Sequence, residues 1–233
     1  MKQFLYGAKD GIPIALGYIS VSFTFGLMTI ESGLPWWQAV LISMCNLTSA
    51  GQFAGLGIIV AGGGLIEMAI SQFVINLRYA LMAISLSQNV NERVSGINRW
   101  IFGFGITDEV FAVSVSKTYK VGRCYLTGIM LVSYLGWVGG TILGALLGGV
   151  LPQSVSAALG LAIYGMFVAL VIPPARNNKN IAKVVAVAVT VSCIFKWVPG
   201  LNNISSGFAI IISSVVAASV GACLLPLDHE GEE

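Results

Sequence analysis

The sequence contains a single histidine, His229, and it sits in an acidic tail. Imidazole catalysis and histidine metal ligation are thereby removed from the apolar body of the chain. Charge is scarce too: 9% of the 233 residues are Asp, Glu, Lys or Arg, against about 25% in a soluble domain. That excludes a globular enzyme. The four cysteines, Cys45, Cys124, Cys193 and Cys223, lie inside or beside apolar runs without paired spacing. They suggest neither a disulfide framework nor a metal site, and read as small apolar core residues. No cleaved leader is expected. Met1 to Asp10 is too polar, a full-length apolar span follows at once, and no small-residue cleavage site is present.

What is abundant is apolar sequence: 56% of residues are hydrophobic and the mean hydropathy is +0.87. The fold class is an all-α integral membrane protein, a polytopic bundle of seven or eight transmembrane helices. Segment 1 covers about 12–30, opening at Pro13, where a helix start tolerates proline. Segment 2 covers about 36–61, and the turn Gly62-Gly63-Gly64 makes a tight hairpin with segment 3, about 65–86. After the polar loop Ser87 to Arg99, segment 4 covers about 100–116, and segment 5 about 125–150. Segments 6, 7 and 8 cover about 157–173, 181–198 and 204–225. Residues 1–227 read as a single transporter domain, and 228–233 as an acidic cytoplasmic tail.

Segment 2 is interrupted. Its middle reads Asn46-Leu47-Thr48-Ser49-Ala50-Gly51-Gln52-Phe53, and a span needs roughly 20 apolar residues, so these polar groups lie near the midplane. Two readings stand. Either the helix breaks there and turns its end toward a substrate, or it is continuous and packs a Gly51-xxx-Gly55 face on a neighbour. An internal repeat is suggested by Gly33-Leu34-Pro35 with Gly51-Gln52-Phe53, against Val150-Leu151-Pro152 with Gly165-Met166-Phe167.

Basic residues orient the chain. With eight crossings, eight of them (Lys2, Lys9, Lys117, Lys120, Arg123, Arg176, Lys179, Lys183) share one side, and Arg93, Arg99 and Lys196 take the other. Both termini are then cytoplasmic. A re-entrant segment 2 would erase this bias.

Charges inside the spans are the candidate chemistry. On segment 3, Glu67, Ser71 and Arg78 share a helix face, with Gln72 and Asn76 in a row beside them. Glu67, near the helix end, reads as interfacial. Arg78 is either a snorkelling or structurally paired cation or a fork for a substrate carboxylate. Asp108 and Glu109 lie mid-segment, where a carboxylate is costly. Either they form a structural ion pair, or Asp108 faces the substrate on a helix face shared with Phe104 and Phe111 while Glu109 pairs or carries a proton. Glycines 136, 140, 144 and 148, and the row Ala209, Ser213, Ala217 and Gly221, form small-residue packing stripes. Trp36, Trp37, Trp100 and Trp197 sit at segment ends as interfacial anchors, and Trp137 reads as core.

The runs Asp10-Gly11-Ile12-Pro13, Ser49-Ala50-Gly51-Gln52-Phe53, Asn76-Leu77-Arg78-Tyr79 with Ser85-Leu86, and Thr107-Asp108-Glu109-Val110-Phe111-Ala112 resemble the AzlC family. These are the large subunits of bacterial branched-chain amino acid exporters, and the resemblance covers about residues 3–225. It implies a plasma-membrane exporter of leucine, isoleucine and valine, with methionine as a further candidate. It also implies a small multispanning partner of the AzlD type, which one of the small-residue stripes is expected to dock. No cofactor or metal is implied.

Residues and resemblance converge on a zwitterion site. Arg78, or the amides and hydroxyls of Asn46, Thr48, Ser49, Gln52 and Asn76, would hold the carboxylate. Asp108 would hold the ammonium, Glu109 would serve proton coupling or an ion pair, and Phe53 with Phe23, Phe25 and Phe111 would form the apolar pocket. The alternatives are a channel, or a permease for another small zwitterionic or apolar solute. An integral-membrane enzyme would have only the carboxylates to work with.

Overall fold

The computed structural model describes residues 2–91, 96–148, 154, 165, 168, 171–201 and 204–224. Their helices are α1 (Lys2–Glu31), α2 (Trp36–Cys45), α3 (Ser49–Val60), α4 (Leu65–Gln88), α5 (Ile97–Phe104), α6 (Asp108–Val115), α7 (Arg123–Leu147), α8 (Lys179–Trp197) and α9 (Ser206–Leu224). Residues 171–177 are also helical. No strand occurs among the described residues, only an isolated bridge between Val90 and Val121. By length and apolarity α1, α4, α7 and α8 can each cross a membrane. Most of segment 6, all of the second members of the suggested repeat but Gly165, and the acidic tail lie outside the described residues.

Segments 1 and 4 differ from the sequence reading, and segment 2 takes the broken form of its two readings. The first helix begins at Lys2, with Pro13 inside it. Proline there removes only the hydrogen bond back to the Lys9 carbonyl, a loss that a membrane helix held by neighbours tolerates. Segment 2 is two helices, α2 and α3. Segment 4 is also two, α5 and α6, because Gly105 ends the first and Thr107 caps the second. Phe104 and Asp108 therefore belong to different helices and share no helix face.

The chain forms two compact units, Met1–Phe53 with Ile75–Leu161, and Ala54–Val74 with Ala162–Glu233. In the first, α1 packs along α7 by interleaving small residues. A Cβ placed on Gly136 would meet Ala15 Cα at 2.7 Å, and one on Gly140 would meet the Ile19 carbonyl at 2.6 Å. Gly128, Gly144 and Gly148 meet α1 at Phe4 and Ala8, at Phe23 and at Leu27 in the same way. The contacts advance together along both helices, so α1 and α7 are parallel. Parallel neighbours require an odd number of spanning elements between them, a condition met by α4 alone or by α4 with both α2–α3 and α5–α6. A re-entrant segment 2 alone would have made them antiparallel.

The glycine stripe of α7 is thus occupied by α1 and does not serve as the expected docking face for a second subunit. Trp137 is core, 1% exposed. Asp10 accepts from Tyr125 Oη at 2.6 Å and from Lys117 Nζ at 2.7 Å, which ties the start of α1 to α7.

In the second unit, Gly62 with φ 69° turns the chain into the expected hairpin, and Gly63 N bonds Ile58 O at 2.8 Å. Glu67 lies in the first turn of α4, but is buried (7% exposed) where the sequence suggested an interfacial residue. Its carboxylate accepts from Ser205 Oγ and from Gly207 N at 3.1 Å, so it caps α9 from another helix. Ser213 and Ala217 of the α9 stripe are buried within this chain, and a Cβ on Gly221 would meet Val184. The cysteines are not core: Cys45, Cys124 and Cys223 are exposed, and Cys193 is partly so. In a membrane helix an apolar residue fits lipid and core equally, so composition does not sort them.

The interleaving predicts a contrast between adjacent glycines. Gly140→Ala overpacks the α1 contact and is expected to cost about 1–3 kcal/mol. Gly139 meets nothing within 4 Å, so Gly139→Ala is expected to be neutral or to gain up to about 1 kcal/mol from helix propensity. Thermal melts of the detergent-solubilised variants measure both.

Candidate functional site

The interruptions in segments 2 and 4 belong to the same buried cluster. Leu47 from the α2–α3 break and Ile106 from the α5–α6 break join it with Tyr18 of α1 and Trp137 of α7. Tyr134, one turn before Trp137, touches both breaks. Its hydroxyl donates to the Met44 carbonyl at 3.1 Å, just before the first break. Its ring lies 6.4 Å from that of Phe104, just before the second. Tyr18 and Trp137 meet edge-to-face at 5.2 Å beneath them.

At the α5–α6 break, Thr107 Oγ1 accepts from Val110 N at 3.4 Å and caps α6. Asp108 and Glu109 then fall in the first helical turn, where the positive end of the helix favours carboxylates. Asp108 pairs with Arg78, Nη1 to Oδ2, at 2.9 Å, with side chains 47% (Arg78) and 37% (Asp108) exposed on this chain. The other arm of Arg78 donates to Tyr79 Oη at 3.1 Å. Glu109 accepts from the Tyr18 hydroxyl, which also lies 2.5 Å from Thr107 Oγ1. The two adjacent carboxylates therefore have separate partners: a cation for one and a phenol for the other.

At the α2–α3 break, Asn46 is extended (φ −143°, ψ 120°). Its Oδ1 accepts from Thr48 N at 2.9 Å and from Thr48 Oγ1 at 2.5 Å. Gln52 Nε2 donates to Ser43 Oγ at 2.9 Å, and Ser43 lies 2.7 Å from Thr141 Oγ1 on α7. Thr141 is one turn beyond Trp137, so the breaks reach α7 at successive turns. Phe53 packs edge-on against buried Phe25, at 5.4 Å, and Phe111 packs against the buried cluster. Asn76 and Phe23 are half-buried. A cavity of about 320 Å³ is lined by Ala83, Leu86, Phe102, Ile106 and Leu126, so Ile106 joins it to the α5–α6 break.

The sequence reading picked out Arg78, Asp108, Glu109, Asn46 and Gln52, but not Tyr18, Tyr134, Ser43 or Thr141. A tyrosine inside an apolar span was the available signal, because a buried phenol requires a partner.

Two discontinuous helices converging on a buried cluster are a common feature of membrane transporters. Residues 13–151 match the family described as AzlC protein. The chain is 30% identical over 185 residues to the inner membrane protein YgaZ of Escherichia coli, covering 76% of each chain. It is 34% identical over 178 residues to an uncharacterized membrane protein of Archaeoglobus fulgidus, covering 76% of this chain and 78% of the other. A Helicobacter pylori membrane protein is 27% identical over 158 residues, covering 64% of this chain and 67% of the other. No solved structure matches significantly. The chain belongs to the AzlC family and is a membrane transporter.

The ion pair predicts a non-additive mutant cycle. Asp108→Asn strands a guanidinium and Arg78→Gln strands a carboxylate, and a stranded charge at bilayer depth costs about 3 kcal/mol. In thermal melts the double variant is expected to be more stable than either single variant. Additive losses would mean that the two side chains are energetically independent.

Proposed function

We propose that the protein exports branched-chain amino acids (leucine, isoleucine and valine, with methionine as a further candidate) across the bacterial plasma membrane. It works as a single transporter domain with both termini cytoplasmic, alongside a small AzlD-type subunit. The observation that carries this reading is the Arg78–Asp108 pair at 2.9 Å beside a helix break. Opposite charges held that close form a neutral unit, cheap to keep within a membrane. A zwitterionic amino acid carries the same two charges in complementary order. It can part the pair and remake both contacts, carboxylate to Arg78 and ammonium to Asp108, with no net charge added to the site. Its branched side chain then suits the apolar cavity that Ile106 borders. Glu109, hydrogen-bonded by Tyr18, is the group assigned to proton transfer. Family membership supports the same reading.

Proteoliposomes carrying the protein and its partner, loaded with radiolabelled leucine, test this assignment. Asp108→Asn is expected to raise the half-saturating leucine concentration roughly tenfold, the equivalent of one lost ionic contact. Glu109→Gln is expected to preserve leucine–leucine exchange while abolishing dependence on a pH gradient. Wild-type behaviour in both variants would contradict the site. Efflux of other zwitterions but not of leucine would contradict the substrate class.

A further inference from the structure

The α2–α3 break holds two buried oxygen atoms that the chain itself does not use. Among the described residues, Gln52 Oε1 and Ser49 Oγ have no hydrogen-bond partner, and Gln52 as a whole is 1% exposed. Both residues belong to the first turn of α3, three positions apart and therefore on one face.

Neighbouring bonds fix which way the Gln52 amide is turned. Thr141 Oγ1 donates to the Trp137 carbonyl at 3.2 Å. The Ser43 hydroxyl is then the donor to Thr141, at 2.7 Å, and its oxygen receives Gln52 Nε2 at 2.9 Å. The unused atom is the amide carbonyl oxygen, which can only accept.

Helix α2 ends at Cys45 and brings its last-turn carbonyls to the break, while α3 starts at Ser49 and brings its positive end, so the two helix ends offset each other and the acceptor oxygens decide what binds. Asn46 Oδ1 adds a further oxygen. None of Ser43, Asn46, Thr48, Ser49, Gln52 and Thr141 titrates, so a proton has no seat here. A divalent ion would call for carboxylates, and no cluster of acidic, cysteine or histidine residues suited to a metal occurs among the described residues. Buried neutral oxygens without a donor, beside the carbonyl end of α2, match a small monovalent cation.

We propose that the α2–α3 break is a sodium-binding site, with Gln52 Oε1 and Ser49 Oγ among its ligands. The site is distinct from the Arg78–Asp108 pair and does not depend on the identity of the transported solute.

The test uses the purified full chain in detergent without amino acid. Thermal unfolding is followed as sodium chloride replaces choline chloride or potassium chloride at constant ionic strength. A saturable rise in melting temperature specific to sodium is expected. Gln52→Leu should abolish that response, and Ser49→Ala should raise the half-saturating sodium concentration by roughly tenfold. If Gln52→Leu does not fold, the Ser49→Ala titration decides. Melting curves that do not distinguish sodium from potassium or choline overturn the proposal. So does a full sodium response in a folded Gln52→Leu or in Ser49→Ala.

Discussion

In lipid, two apolar helices gain nothing by leaving water, so they associate through atomic contact alone. Each contact contributes only about 0.1–0.2 kcal/mol, which makes the number of contacts decisive. The small residues of α1 and α7 raise that number by letting backbone touch backbone, at Gly136 on Ala15 and Gly140 on Ile19. A helix pair this close is stiff, because any shift of one against the other drives a Cα into a carbonyl. The rest of the first unit takes its position from that pair.

The polar groups of the two breaks depend on it most directly. A broken helix in a membrane exposes carbonyls and amides that water cannot reach, so the protein must satisfy them. Here α7 supplies Tyr134 for the Met44 carbonyl and Thr141 for Ser43, and α1 supplies Tyr18 for Glu109. The side chains that support the breaks thus sit on the stiff pair, while the groups proposed to bind a solute sit off it, on α4 and α6. Arg78 and Asp108 neutralise each other between α4 and α6. That arrangement suits a transporter, which needs a constant frame around a site that rearranges.

Much of this is legible in the sequence. The all-α membrane fold, the Gly62 hairpin and the core position of Trp137 follow from apolar runs and turn glycines, and Arg78, Asp108 and Glu109 stand out as charges set inside such runs. The α5–α6 break was not legible. Gly105-Ile106-Thr107 holds one strong helix breaker, and only the capping bond of Thr107 marks the restart. The start of α1 was missed because Pro13 reads equally as a first-turn residue or as an interior one tolerated in lipid. Glu67 was misjudged because its partner, the start of α9, lies about 140 residues away along the chain. The cysteines were misplaced because periodic apolarity does not separate lipid from core.

The central proposal is that leucine binds at the Arg78–Asp108 pair, with its side chain in the cavity beside the α5–α6 break. A single cysteine at Ile106, introduced after replacing the four native cysteines, tests it through its rate of modification by a small charged thiol reagent. Leucine is expected to slow that modification with the half-effective concentration that it shows in transport. An unchanged rate at Ile106, or protection at a concentration unrelated to transport, would contradict the site.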